Sequence, residues 1–140
     1  MKKFFTLFVA LVALFTLSST EQAMASEEPT TTESSEYVVF SSYYTGTIGN
    51  NLHITMYLER YNTGAYAGWY YYNKYGSKNK LYLVGEKAAD GLINLYEFNA
   101  DAQLTAGFEG TFNRNGEFVG IMYVVHTGKR HSCRLYPTNF

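Results

Sequence analysis

Cysteine is nearly absent from this chain. Cys133 stands alone among 140 residues, which excludes an intramolecular disulfide framework and a cysteine-built zinc site. Proline occurs twice, histidine three times and tryptophan once. Charged residues make up 16%, and the net charge is −1. A globular domain usually carries about a quarter charged residues. With so little positive charge, the chain lacks the field by which nucleic-acid binders hold phosphates, so no nucleic-acid partner is expected. The apolar run Phe4–Leu17 is about 14 residues long, short of the roughly 20 a membrane-spanning helix needs.

That run follows Lys2 and Lys3 and precedes Ala23-Met24-Ala25. A basic start, a short apolar stretch and small residues at the cleavage positions make a secretory signal peptide. It is predicted to occupy residues 1–25, leaving no membrane span after cleavage and a secreted or periplasmic product. Its removal leaves nine basic and eleven acidic residues. Four of those acids lie in Ser26–Glu36, SEEPTTTESSE, which contains no base and no aliphatic side chain. Such a stretch buries too little apolar surface to offset its ordering entropy and reads as a flexible tether. Residues 37–140 form the single domain that this length allows.

What the chain has in abundance is aromatic: 14 Tyr and 10 Phe, of which all the Tyr and six of the Phe lie in the domain. Its apolar residues alternate with period two. In Leu52-His53-Ile54-Thr55-Met56-Tyr57-Leu58-Glu59 the four aliphatics share one face of a strand, whereas a helix would scatter them. Clusters rich in Gly, Asn and Asp cut the pattern at regular spacing, around residues 49–51, 62–64, 76–79, 89–91, 99–103, 113–116 and 127–130. Seven turns separate eight strands, near 38–48, 52–61, 65–74, 80–86, 92–98, 105–112, 118–126 and 131–136. Residues 99–103 are also compatible with one helical turn. Loops this short force neighbours to be antiparallel. The expected fold is therefore all-β: an eight-stranded antiparallel up-and-down meander forming a closed or nearly closed small barrel. Glycines inside strands (Gly46, Gly68, Gly85, Gly110 and Gly120) mark bends or close backbone approaches.

The pieces occur in a particular order: Gly46-Thr47-Ile48, Gly68-Trp69-Tyr70-Tyr71-Tyr72, Leu81-Tyr82-Leu83-Val84-Gly85, Ile93-Asn94-Leu95-Tyr96-Glu97 and Gly107-Phe108-Glu109-Gly110. This series resembles a family of secreted or periplasmic bacterial β-meander domains, largely uncharacterised. The resemblance spans about residues 43–136. It implies an exported barrel and no reaction.

No nucleophile elbow, phosphate loop, metalloprotease helix or Ser-His-Asp order is present. No catalytic residue, metal site or cofactor is expected. His126 and His131 flank one hairpin turn, but no third ligand stands at a suitable spacing. Cys133 alternates with Leu135 and reads as a small core residue. Glu97 shares a face with Ile93 and Leu95, so it is a buried or rim carboxylate. If buried, it needs a tyrosine hydroxyl or Arg134 as a partner. Glu59 and Glu109 are the candidate second carboxylates for a small hydrolase using Glu97. Tyr57, Tyr82 and Tyr96 alternate opposite core positions and are expected to face outward. Trp69 and Tyr71 share one face of their strand, with Tyr70 and Tyr72 on the other.

These five residues, Trp69, Tyr71, Tyr57, Tyr82 and Tyr96, are the candidate binding surface. Tyrosine gives large rigid area with a hydroxyl, which suits protein interfaces, and flat rings also stack on sugars. The functional expectation is a non-catalytic binding module for a protein or glycan of the cell envelope or host. The alternatives are an inhibitor of a lysozyme-type cell-wall hydrolase, a small-ligand carrier and the Glu97 hydrolase.

Overall fold

The computed structural model describes residues 35–139. The predicted signal segment and all of the tether before Ser35 lie outside the described residues. Eight strands follow one another: β1 (Val38–Ile48), β2 (Leu52–Tyr61), β3 (Ala65–Tyr72), β4 (Leu81–Lys87), β5 (Ile93–Phe98), β6 (Leu104–Phe112), β7 (Phe118–Val124) and β8 (Arg130–Thr138). Each pairs antiparallel with the next, and β8 returns to pair with β1, closing an up-and-down barrel. Closure removes the two exposed edges that an open sheet would carry.

Turn chemistry explains why the chain folds back where it does. Six of the seven hairpin loops contain a glycine with positive φ: Gly49, Gly64, Gly76, Gly91, Gly116 and Gly128. The seventh uses Ala102 at φ 60°. That loop is not a helical turn. Asn99 Oδ1 accepts hydrogen bonds from the backbone N–H groups of Asp101 and Gln103, each at 3.0 Å, and its side-chain amide donates to Gln103. Asn113 organises the β6–β7 loop in the same way, through Asn115, Glu117 and the Glu117 carboxylate. β3 stops at Tyr72 because its carbonyl accepts from both Tyr75 and Gly76 in a turn.

Alternation sends one set of side chains to a single core. Ile54, Met56 and Leu58 of β2 are buried there, as is Tyr44 of β1. Phe108 and Phe118 fill the axis from the far wall, with Phe112 packed against them. Burial of each large apolar side chain stabilises the fold by about 1.5–3 kcal/mol. Cys133 and Leu135 are both buried, as their alternation indicates.

Two glycines show how tightly the wall is bent. A Cβ on Gly68 or on Gly85 would sit 1.9 Å from a backbone oxygen of the neighbouring strand, that of Tyr57 or Asn94. Only glycine permits the strands to curve inward at these points. A register shift on the β5–β6 ladder pairs Glu97 with Ala106 but Phe98 with Leu104, leaving Thr105 as an extra residue.

Candidate functional site

Two regions of the wall collect the polar and aromatic side chains that sequence singled out. They lie on opposite faces of β3. Its inner face carries Tyr66, Gly68, Tyr70 and Tyr72; its outer face carries Trp69 and Tyr71.

The inner group centres on Glu97, which is only 4% exposed and is therefore a core carboxylate, not a rim one. Tyr70, completely buried, donates its hydroxyl hydrogen bond to Glu97 Oε2. Thr105 donates to the other oxygen at 2.6 Å. Strict alternation would turn Thr105 away from the core side, because Ala106 and Phe108 point in. The bulge re-aims it, which is a common use of such irregularities. The Tyr72 hydroxyl lies 3.5 Å from that of Tyr70. The single Tyr70 O–H is engaged by Glu97, so its oxygen accepts from Tyr72. Burial, reinforced by the adjacent Glu97 charge, pushes the Tyr70 pKa far above the usual phenol value, so it remains a donor.

Arg134 is not the partner of Glu97. It is exposed and pairs with Glu117 at 2.9 Å on the outside. Glu59 and Glu109 also belong to the outer register, so neither joins Glu97 as a second carboxylate. Glu59 is instead held by the hydroxyls of Tyr57 at 2.7 Å and Tyr61 at 2.9 Å. Burial and this carboxylate raise the Tyr61 pKa to about 12. Among the described residues, no three His, Cys, Asp or Glu side chains gather into a metal-binding group.

The outer group is a row across the strands. In register, Tyr43 of β1 faces Tyr57 of β2, Tyr57 faces Trp69 of β3, Trp69 faces Tyr82 of β4, and Tyr82 faces Phe98 of β5. The Tyr43 and Tyr57 ring centroids are 4.8 Å apart, those of Tyr57 and Trp69 5.8 Å, and those of Trp69 and Tyr71 6.0 Å. The last pair is nearly parallel, with planes 13° apart. The Lys80 ammonium lies 4.0 Å from the Trp69 ring centroid, placing a positive charge at the ring face. Cross-strand aromatic pairs stabilise a sheet, and here their outer surfaces also meet solvent.

Sequence alternation turned Tyr57 and Tyr82 outward and put Trp69 and Tyr71 on one face of their strand without saying which; the structure makes that face the outer one and brings all four onto this patch. Tyr96 is also exterior and exposed, but it stands opposite Val84, one row along. Tyr43, Phe98 and Lys80 were missed. Tyr43 and Phe98 join only through the cross-strand register, and Lys80 through the course of the β3–β4 loop; alternation within one strand reveals neither. Compared with known proteins, the chain matches no family model, no curated protein and no solved structure.

Proposed function

We propose that this chain is an exported bacterial binding module, without catalytic work of its own, that docks a protein or an envelope glycan on the outer aromatic row centred on Trp69. The observation that carries this reading is the row itself. Tyr43, Tyr57, Trp69 and Tyr71 form one continuous set of rings on the outside of a barrel whose core is already filled from within. Rigid aromatic area of this kind supplies most of the energy at many interfaces. Lys80 adds a cation at its edge. Export rests on the amino-terminal sequence pattern. The sealed surroundings of Glu97 favour a structural carboxylate over a hydrolytic one, because hydrolysis of a glycoside ordinarily uses two carboxylates facing one substrate.

The test is capture. The exported chain is immobilised, exposed to envelope extract and to host secretions, and eluted for mass spectrometry and sugar analysis. Trp69→Ala and Tyr71→Ala should each lose the captured component while the far-UV circular dichroism stays that of the parent. A single captured protein assigns a protein partner, and a cell-wall hydrolase in that position narrows the role to inhibition. Enriched glycan assigns a lectin-like role. Capture that survives both substitutions, or loss of fold in both, overturns the reading.

A further inference from the structure

The barrel end farthest from Glu97 is built differently, and nothing in the aromatic-row reading uses it. The inner faces of β1, β2, β3 and β4 finish there in Phe40, Arg60, Tyr66 and Lys87. A half-open cleft of about 430 Å³ lies between Phe40, Tyr44, Leu58, Phe112 and Pro137, with Arg60 and Tyr66 on its border. A second cleft of about 380 Å³ adjoins it across the same two residues and reaches Lys87. Both clefts are shallow and open to solvent, so a ligand would lie along them and not be enclosed.

Among the described residues, the two charges on the inward register at this mouth, Arg60 and Lys87, are both basic. Among the described residues, Arg60 has no carboxylate partner and rests over the Phe40 ring at 5.9 Å. Lys87 likewise has none. Among the described residues, the acids at this end pair with neither base. Glu117 takes Arg134 and Asn113, Glu36 accepts from Thr63, and Asp90 accepts from the Leu92 N–H. Glu59 and Glu86 lie on the outer register. The walls of the cleft are apolar, and its floor is closed by Tyr44, Leu58 and Tyr66, which are 2%, 2% and 6% exposed.

We infer that this mouth binds an amphiphile with a carboxylate head, a medium-chain fatty acid. The head pairs with the Arg60 guanidinium, whose planar fork matches a carboxylate, and Lys87 adds positive potential beside it. The chain lies across the mouth against Phe40, Phe112 and Pro137. It does not run down the axis, because the floor is packed.

Dodecanoate below its micelle concentration is the probe, titrated into the full chain and followed by calorimetry and by amide chemical shifts. Shifts should concentrate at residues 40–44, 58–66 and 112–116 and at Tyr136 and Thr138 beside Pro137, and leave Trp69 and Tyr71 unmoved. Dodecanol and dodecyltrimethylammonium should bind at least tenfold more weakly. Arg60→Gln should weaken dodecanoate at least tenfold, and Ser42→Trp should abolish binding by filling the cleft. Arg60 is exposed, so its variant keeps the fold. Absence of dodecanoate binding, equal binding of the cationic probe, an unaffected Arg60→Gln variant, or shifts centred on Trp69 would each overturn the assignment.

Discussion

At one end of this barrel an acid points inward and is met by Tyr70 and Thr105. At the other end two bases lie on the inward register, and among the described residues no carboxylate meets them. The same strands run between the two ends, so the difference lies in the side chains of the last inward rungs. Glu97 sits deep enough to lose its water, and a charge in that position requires donors from the protein. Arg60 and Lys87 sit at a half-open mouth, keep their hydration and need no partner to be tolerated. A sealed charge specifies structure; an open, unpartnered charge remains available to a ligand.

The most severe way to break this contrast is to remove a donor from the sealed end. Tyr70→Phe leaves Glu97 with Thr105 alone and should cost about 2–4 kcal/mol in urea unfolding. Adding Glu97→Gln should restore at least about 1 kcal/mol of that loss, as the double-mutant cycle would show. No coupling between the two positions would mean that the hydroxyl supports packing and not the charge.

Cys133 provides a pH readout within the core. Burial raises its thiol pKa to about 12, above its ordinary 9.0. The unfolded thiol ionises first as pH rises, so this contribution to stability is complete below pH 9 and is lost between 9 and about 12. The parent protein should lose up to about 1.4 kcal/mol per pH unit more than Cys133→Ala across that window. Identical slopes would show a thiol that reaches solvent in the folded state.

The two asparagine-organised loops, one at each end, sharpen the comparison with a smaller and opposite effect. The β6–β7 loop places Gly116 at positive φ, while the β5–β6 loop places Ala102 there. A left-handed alanine costs roughly 1–2 kcal/mol relative to its preferred conformations. Ala102→Gly should therefore raise stability by about 0.5–1 kcal/mol, because glycine's greater unfolded-state entropy offsets part of the relief. Smallest of all is Arg60→Gln at the open mouth. It should change stability by less than about 0.5 kcal/mol, as expected for an exposed charge with no partner. A large loss there would show that Arg60 is a structural charge, as Glu97 is at the sealed end.

Much of this fold is legible in the sequence. Period-two alternation and the glycine-bearing turns placed all eight strands within two residues of their observed ends. That Glu97 shares a face with Ile93 and Leu95 was legible, but not that it is buried and not at the rim; the outward direction of Tyr57, Tyr82 and Tyr96 followed from their own neighbours. The partners were not legible. Tyr70 is 27 positions from Glu97, and Thr105 reaches it only because of a bulge. Tyr43 and Phe98 enter the aromatic row through pairing partners on other strands.

The sequence by itself therefore determined the class of fold, the number of strands and the face on which most side chains lie. These are consequences of local rules: a strand alternates, and a glycine-rich turn reverses it. The tertiary structure decided which faces of different strands meet, where the wall bulges, and which charges are sealed or left open. Those outcomes depend on the registers of eight strand pairs and on barrel closure, which relate residues far apart in the chain and are set by packing the whole core at once.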